Sequence, residues 1–290
     1  MKQVIFFFLV AVIAGCIPNA FAQNVHLDFF TGIANYKGDL QYNPNSGKQI
    51  SFKQPNFAAG VGLEYELSNK LYARFGITIG KIGADDKNQP GQQQRNLSFF
   101  SPIFDVTLGA EYFIMDPYEH LVCPYVFAGM GYFHFNPYTL DATRQKVYLK
   151  PLSTEGEGVV AGRPNYNLSQ IAIPFGGGIK LSVSDDVRVG VELSLRKTLT
   201  DYLDDVSTTY ADANILLANR GQQAVDLAYR GDEVGAGPYP VVGTARGTLA
   251  AKDWYYFTGV SISFRLGNGG GGGGRQGGRK SKVGCPAVAR

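Results

Sequence analysis

The chain has 290 residues, 13% of them aromatic, with 37 Gly, 19 Phe and 17 Tyr. A net charge of +3, from 27 basic and 24 acidic side chains, is too small to point to a nucleic-acid partner. No stretch reaches the ~20 apolar residues of a membrane helix, so any crossing of a bilayer has to use strands.

Met1–Ala22 reads as a signal peptide: Lys2, the apolar run Val4–Gly15, and Ala20-Phe21-Ala22 as an A-x-A site before Gln23. Ile13-Ala14-Gly15-Cys16 competes as a lipobox in which Cys16 would carry the lipid. The apolar stretch runs past Cys16, which favours simple cleavage and an exported mature chain.

Period two dominates the chain from Val25 to Leu266. Across Asn56–Leu67, the residues Phe57, Ala59, Val61, Leu63, Tyr65 and Leu67 share one face, and Ala58, Gly60, Gly62, Glu64 and Glu66 the other. After Ser68-Asn69-Lys70 the alternation resumes with Leu71, Ala73, Phe75, Ile77 and Ile79 against Tyr72, Arg74, Gly76, Thr78 and Gly80. Within Phe100–Phe113, Phe104, Val106, Leu108, Ala110 and Tyr112 oppose Asp105, Thr107, Gly109 and Glu111. Ile171–Val183 and Val187–Leu195 repeat the pattern around the turn Ser184-Asp185-Asp186. In the last segment Trp254, Tyr256, Val260, Ile262, Phe264 and Leu266 oppose Tyr255, Phe257, Gly259, Ser261, Ser263 and Arg265. Val25–Tyr36 and Val122–Phe135 complete the set, aromatic on both faces and without a definite register.

Eight strands of roughly ten to fourteen residues match the length of tilted membrane strands. Short connections (Ser68–Lys70, Ile114–Leu121, Ser184–Asp186) alternate with long ones (Lys37–Pro55, Lys81–Phe99, Asn136–Ser169, Thr198–Asp253). The less apolar face carries Glu64, Glu66, Arg74, Asp105, Glu111, Lys180, Arg188, Glu192, Arg196 and Arg265. A soluble sandwich or lipocalin-like barrel would turn its apolar face inward; charges of both signs suit a polar lumen with lipid outside. The fold expected is an eight-stranded antiparallel transmembrane β-barrel of the outer-membrane type, over residues 23–266. It has short periplasmic turns, long extracellular loops, both termini periplasmic, and outer-membrane lipids as its surroundings. A barrel of this size is filled by its own side chains, and the opposed charges are expected to plug it.

Several phrases together carry a resemblance: Asn35-Tyr36-Lys37-Gly38-Asp39-Leu40, Arg95-Asn96-Leu97-Ser98-Phe99, Pro124-Tyr125-Val126-Phe127-Ala128-Gly129, Asp201-Tyr202-Leu203-Asp204-Asp205-Val206-Ser207 and Asp253-Trp254-Tyr255-Tyr256-Phe257. In this order and spacing the mature chain resembles the PorG-like outer-membrane proteins of the type IX secretion system. The resemblance implies a non-enzymatic barrel of a Gram-negative outer membrane that associates with a periplasmic ring of the lipoprotein PorK and its partner PorN and supports protein export. It supplies no catalytic residues, cofactor or small-molecule substrate. Related barrels outside secretion systems include some fused to peptidoglycan-binding domains, and no such domain follows Leu266 here.

Residues 267–290 form a glycine-rich basic tail with Arg275, Arg279, Lys280 and Lys282, read as a periplasmic tether or a solvated extension. Gly278-Arg279-Lys280-Ser281 lacks the Gly-Lys-Ser/Thr of a phosphate loop. In the expected topology Cys123 and the tail's Cys285 share the periplasmic end, so a bridge between them is expected; free thiols or a bridge to a partner are the alternatives.

A lipid A-modifying hydrolase is the rival class. It needs Ser, His and a carboxylate in reach, from only His26, His120 and His134. The position two residues after His134 is Asn136, not Ser, and His134 reads as an interfacial belt residue. A third class is an adhesin using turn-rich loops such as Gly38–Gly47 and Ser153–Pro164. The cluster Asp201, Asp204, Asp205 and Asp212 lacks the spacing and glycine of a calcium loop, and reads as capping around a helical stretch Ala213–Tyr229.

Overall fold

In the computed structural model, which describes residues 24–41, 54–89, 91–248 and 252–266, each alternating segment forms one long strand. These are β1 (Val25–Lys37), β2 (Asn56–Glu66), β3 (Leu71–Asp85), β4 (Ser98–Phe113), β5 (Val122–Phe135), β8 (Ser169–Ser182), β9 (Val187–Thr198) and β10 (Trp254–Arg265). Two three-residue strands, β6 (Tyr138–Leu140) and β7 (Lys146–Tyr148), form a hairpin between β5 and β8 that the sequence pattern did not announce. The signal segment with Cys16, and the tail with Arg275, Arg279, Lys280, Lys282 and Cys285, lie outside the described residues.

Every long strand pairs antiparallel with its neighbours in sequence, and β10 returns to β1 with His26 opposite Arg265 and Lys37 opposite Trp254. The result is a closed eight-stranded antiparallel barrel with no free edge. The β5–β8 ladder breaks between Ala128 opposite Phe175 and Gly131 opposite Ala172, beside Pro174, which has no N–H to donate.

Connections at residues 67–70, 114–121 and 183–186 gather at one end, together with both ends of the barrel chain, where Leu266 N–H donates to Val25 O at 2.8 Å. Connections 38–55, 86–97, 136–168 and 199–253 gather at the other. The expected loop Lys81–Phe99 is shorter than its sequence suggested. β3 runs on to Asp85 and β4 begins at Ser98, because Ile82, Ala84 and Phe99 continue the inward alternation and are buried. The strands therefore outrun the ~9–11 residues that cross a bilayer and carry a blade above it.

Sidedness follows the alternation. Phe57 (69% exposed), Leu108 (64%) and Met130 (70%) point outward, whereas Glu111 (0%), Lys180 (1%) and Arg188 (1%) are buried inside. An apolar exterior around a charged interior is stable only where the surroundings are hydrocarbon, so this is a transmembrane barrel. The two ambiguous strands resolve with His26, Asp28, Phe30, Ala34 and Tyr36 of β1 inward, and Cys123, Tyr125, Phe127, Phe133 and Phe135 of β5 inward. Tyr256, expected on the outer face, is outward by alternation yet buried, as is Asn35 opposite it on β1.

The helical stretch is two helices, α1 (Ala213–Arg220) and α2 (Gln222–Ala228), broken at Gly221, whose φ of 84° is open to glycine without strain. Asp212 caps α1 by accepting from Asn214 N–H at 2.7 Å.

Candidate functional site

The lumen is filled by a layered polar network. Nearest the short turns, Arg265 pairs with Glu66 at 3.4 Å, and Tyr118 of the 114–121 turn folds in to hydrogen-bond both. Arg188 makes no ion pair among the described residues; it donates to the Tyr72 hydroxyl at 3.1 Å and lies over the rings of Tyr72, Phe113 and Tyr118. At mid-barrel, Lys180 Nζ sits 2.6 Å from both Glu64 and Glu111. Arg74 reaches across to Glu111 at 3.2 Å and grips both oxygens of Glu192, which also accepts from Tyr125 at 2.8 Å. Toward the loops Arg196 meets Asp105 at 3.4 Å, and Tyr255 donates to the same carboxylate at 2.6 Å.

Nine of the ten lumen charges read from the sequence are thus in ion pairs with one another, and Arg188 is held by aromatic rings. Asp28, which accepts from Ser263 at 2.6 Å, and the tyrosines that cross-link the charges were missed. Alternation could have found Asp28, had the aromatics on both faces of β1 not hidden its register. Two mid-barrel cavities, about 30 and 20 Å³, have room for roughly one or two waters.

Above the charges an aromatic layer seals the barrel. Phe133 packs on Tyr255 at 5.1 Å between centroids, Tyr255 on Phe257 at 5.7 Å, and Tyr36 on Phe99 at 4.9 Å. The long connections pack directly onto this layer. Leu40, Leu97, Leu149, Leu203, Val206, Leu216 and Leu227 share one continuous core with it, so the loops form a cap.

Carboxylates organise that cap. The Tyr36 hydroxyl donates to Asp204 at 2.5 Å and lies 3.2 Å from Asp253. Asp204 also accepts from Leu40 and Val206 N–H, and Asp253 from Leu203 N–H. Asp205, left-handed at φ 65°, accepts from Thr154 at 2.5 Å and Tyr166 at 2.7 Å. Glu155 accepts from Ser207 and Thr208 N–H and pairs with buried Arg246 at 3.1 Å, while Arg95 pairs with Asp86 at 2.7 Å. Burial pushes Asp201 up to about 7 and Glu157 up to about 8, the latter helped by nearby Asp205 and Glu155. Asp204 and Asp253 are raised well above the carboxylate range, first by burial and then by neighbouring carboxylates. The acidic cluster therefore differs from its sequence reading. Only Asp212 is a helix cap; Asp201, Asp204 and Asp205 are interior groups, as are Ser153, Thr154 and Glu155 of the turn-rich stretch Ser153–Pro164. Asp204 and Asp205 accept from donors 39 to 168 positions away, which local turn chemistry does not register.

Among the described residues no three His, Cys, Asp or Glu side chains are grouped to hold a metal ion. His134 is exposed on the outer face, and its Nδ1 lies 2.9 Å from Ser169 Oγ on the neighbouring strand, with no carboxylate hydrogen bond among the described residues. His26 is buried in the lumen against Tyr72, and His120 lies in the 114–121 turn. Cys123 is buried at the short-turn end, where its thiol donates to His120 O at 3.2 Å; Cys285 is outside the described residues.

The chain is similar in fold to several solved barrels. Neisserial surface protein A matches at 8% identity with a TM-score of 0.40, over 83% of this chain and 97% of that one. The outer membrane protein OprG from Pseudomonas aeruginosa matches at 10% and 0.38, over 84% and 97%. Ail, the attachment invasion locus protein of Yersinia pestis, matches at 10% and 0.36, over 83% and 97%. At such identities the similarity concerns the barrel alone. No curated protein matches the chain. Residues 2–219 match the domain of unknown function DUF6089, and the chain belongs to that family.

Proposed function

We propose that this protein is a non-enzymatic outer-membrane barrel that works through its two end surfaces, with the loop cap outside the cell and both termini in the periplasm. The observation that carries the reading is the sealed lumen. Crossing ion pairs at three levels, closed by an aromatic layer, fill the lumen with side chains, so the protein's interactions fall to its ends and its lipid-facing wall.

The finer reading is membership of a type IX protein secretion system, with the periplasmic end meeting a ring of PorK-like lipoprotein and PorN-like protein. It rests on the resemblance of phrases spread along the chain. In this reading Met1–Ala22 is the export signal. Residues 267–290 form the periplasmic tether, with Arg275, Arg279, Lys280 and Lys282 as its partner contacts, fastened by Cys123–Cys285. Affinity purification of the tagged protein from outer membranes tests it. Recovery of ring subunits, reduced when Gly267–Arg290 is deleted, is expected; their absence under conditions that retain other outer-membrane partners overturns the secretion role.

A stand-alone surface protein is the second reading, favoured by the described parts of the long connections packing into one body. Exchange of the 199–253 connection for a short turn distinguishes the two: lost cell-surface adhesion with intact export supports this reading, and lost export supports the first.

A further inference from the structure

The outward face of the blade carries an unusual pairing of cations and rings. Lys81 Nζ lies 4.1 Å from the Phe100 ring centroid and 5.7 Å from that of Tyr138, and Lys146 Nζ lies 4.0 Å from Tyr138 and 4.6 Å from Tyr148. Register places these residues on one face: Phe100 opposes Tyr138, which opposes Tyr148, and Lys146 opposes Leu140. Neither ammonium makes an ion pair among the described residues. The nearby carboxylates are occupied in turns, Asp85 accepting from Lys87 N–H and Asp141 from Thr143 and Gln145 N–H.

This face continues the lipid-facing wall. Lys81 follows Ile79 by two residues on β3, and Phe100 precedes Phe104 by four on β4; Ile79 and Phe104 are 56% and 44% exposed. At ~3.3 Å per residue and a tilt of ~40°, Lys81 stands roughly 5 Å beyond Ile79, at headgroup depth. The opposite rim is different. Leu67, Ile114, Leu121 and Val183 are exposed there, and Lys70 is turned onto Ile114 O at 3.2 Å.

We propose that Lys81, Phe100, Tyr138, Lys146 and Tyr148 form a binding site for a phosphate-bearing lipid headgroup of the leaflet at the loop end. The rings hold two ammonium groups without neutralising them, and an ammonium is a good point-charge partner for phosphate. Tyrosine rings at this depth rest against the glycerol or sugar of a headgroup while the acyl chains continue down the wall past Ile79 and Phe104. Charge complementarity and continuity with the lipid-facing band single out a membrane lipid over a soluble protein. Which leaflet supplies the lipid rests on the orientation proposed above; the site itself does not.

Native mass spectrometry of the full-length protein in detergent, titrated with bisphosphorylated lipid A, tests the site. The wild type is expected to retain the lipid, and Lys81→Gln/Lys146→Gln to bind at least about tenfold more weakly. Lys70→Gln, on the other rim, is expected to bind as the wild type does, and dephosphorylated lipid A as weakly as the double variant binds the phosphorylated form. Equal retention by the double variant, or of dephosphorylated lipid A by the wild type, overturns the site. A heat-modifiable shift on gels confirms that each variant is folded. Surface labelling of loop lysines on intact cells reports orientation separately. An inverted barrel would assign the site to the other leaflet and leave the detergent result standing.

Discussion

The Tyr36 hydroxyl donates to Asp204 at 2.5 Å, joining the end of the first strand to a loop 168 positions away. Asp253, just before the last strand, reaches the same oxygen at 3.2 Å. A phenol has one proton, so it cannot donate to two carboxylates; the second bond requires a carboxyl that keeps its own proton. The burial-raised pKa values of Asp204 and Asp253 fit that count. The cap is therefore latched to the barrel rim by a buried, proton-sharing trio.

Tyr36→Phe removes the hydroxyl that both carboxyl groups bond and leaves them poorly matched. The expected loss is about 1–3 kcal/mol in cap stability, with the barrel still folded. Limited proteolysis should cut the 199–253 connection faster in the variant while gel mobility of the folded barrel is unchanged. Equal cleavage rates would show that the latch contributes nothing.

The cap is expected to tighten as pH falls. Asp201, raised to about 7, and Glu157, raised to about 8, keep protons in the folded cap that an opened loop releases near pH 4. Their contribution is fully present below that range and is lost as pH rises through 7 and 8. Amide exchange in residues 200–212, corrected for intrinsic rates, should be better protected at pH 5 than at pH 8. A flat profile over that window would refute the assignment.

Lys180 neutralises two buried glutamates at once. Lys180→Met strands Glu64 and leaves Glu111 to Arg74 alone, at a cost of about 3–5 kcal/mol. The triple variant Lys180→Met, Glu64→Leu, Glu111→Leu should recover most of it, since Arg74 keeps Glu192. Urea unfolding in detergent, followed by the single Trp254, measures both.

Gly109 and Gly129 face each other across β4 and β5, and a Cβ on Gly109 would lie 2.3 Å from Ala128 O. Gly131, two residues on, has nothing nearer than 3.5 Å. Gly109→Ala should therefore destabilise the barrel by about 1–3 kcal/mol through backbone displacement, and Gly131→Ala should be tolerated. Comparable melting of the two variants would argue against the close approach.

A barrel plugged by crossed ion pairs should show no sizeable single-channel conductance in planar bilayers at neutral pH. Discrete, reproducible conductance steps from the purified protein would contradict the sealed lumen, and with it the proposal that function lies at the ends.

The barrel was legible because it depends on one local rule. Period-two alternation sorted Leu63 from Glu64 and Val191 from Glu192 without knowledge of any partner, and the length of connections sorted the two ends. It failed where that rule lost contrast. β1 and β5 carry Phe and Tyr on both faces, so Asp28 and Tyr125 went unassigned to the lumen. The β6–β7 hairpin was missed because three residues are too few for a period to show.

What the sequence by itself determined, in six of the eight long strands, is which side chains face lipid and which face the lumen, because strand geometry assigns sides residue by residue. Only the tertiary structure decided who pairs with whom. Lys180 between Glu64 and Glu111, Arg74 on Glu192, and Tyr36 on Asp204 all join residues more than 60 positions apart. It also turned an acidic loop phrase that reads as local capping into the interior of a cap. Burial of a carboxylate depends on donors delivered by other loops, and those meet only once the barrel has closed.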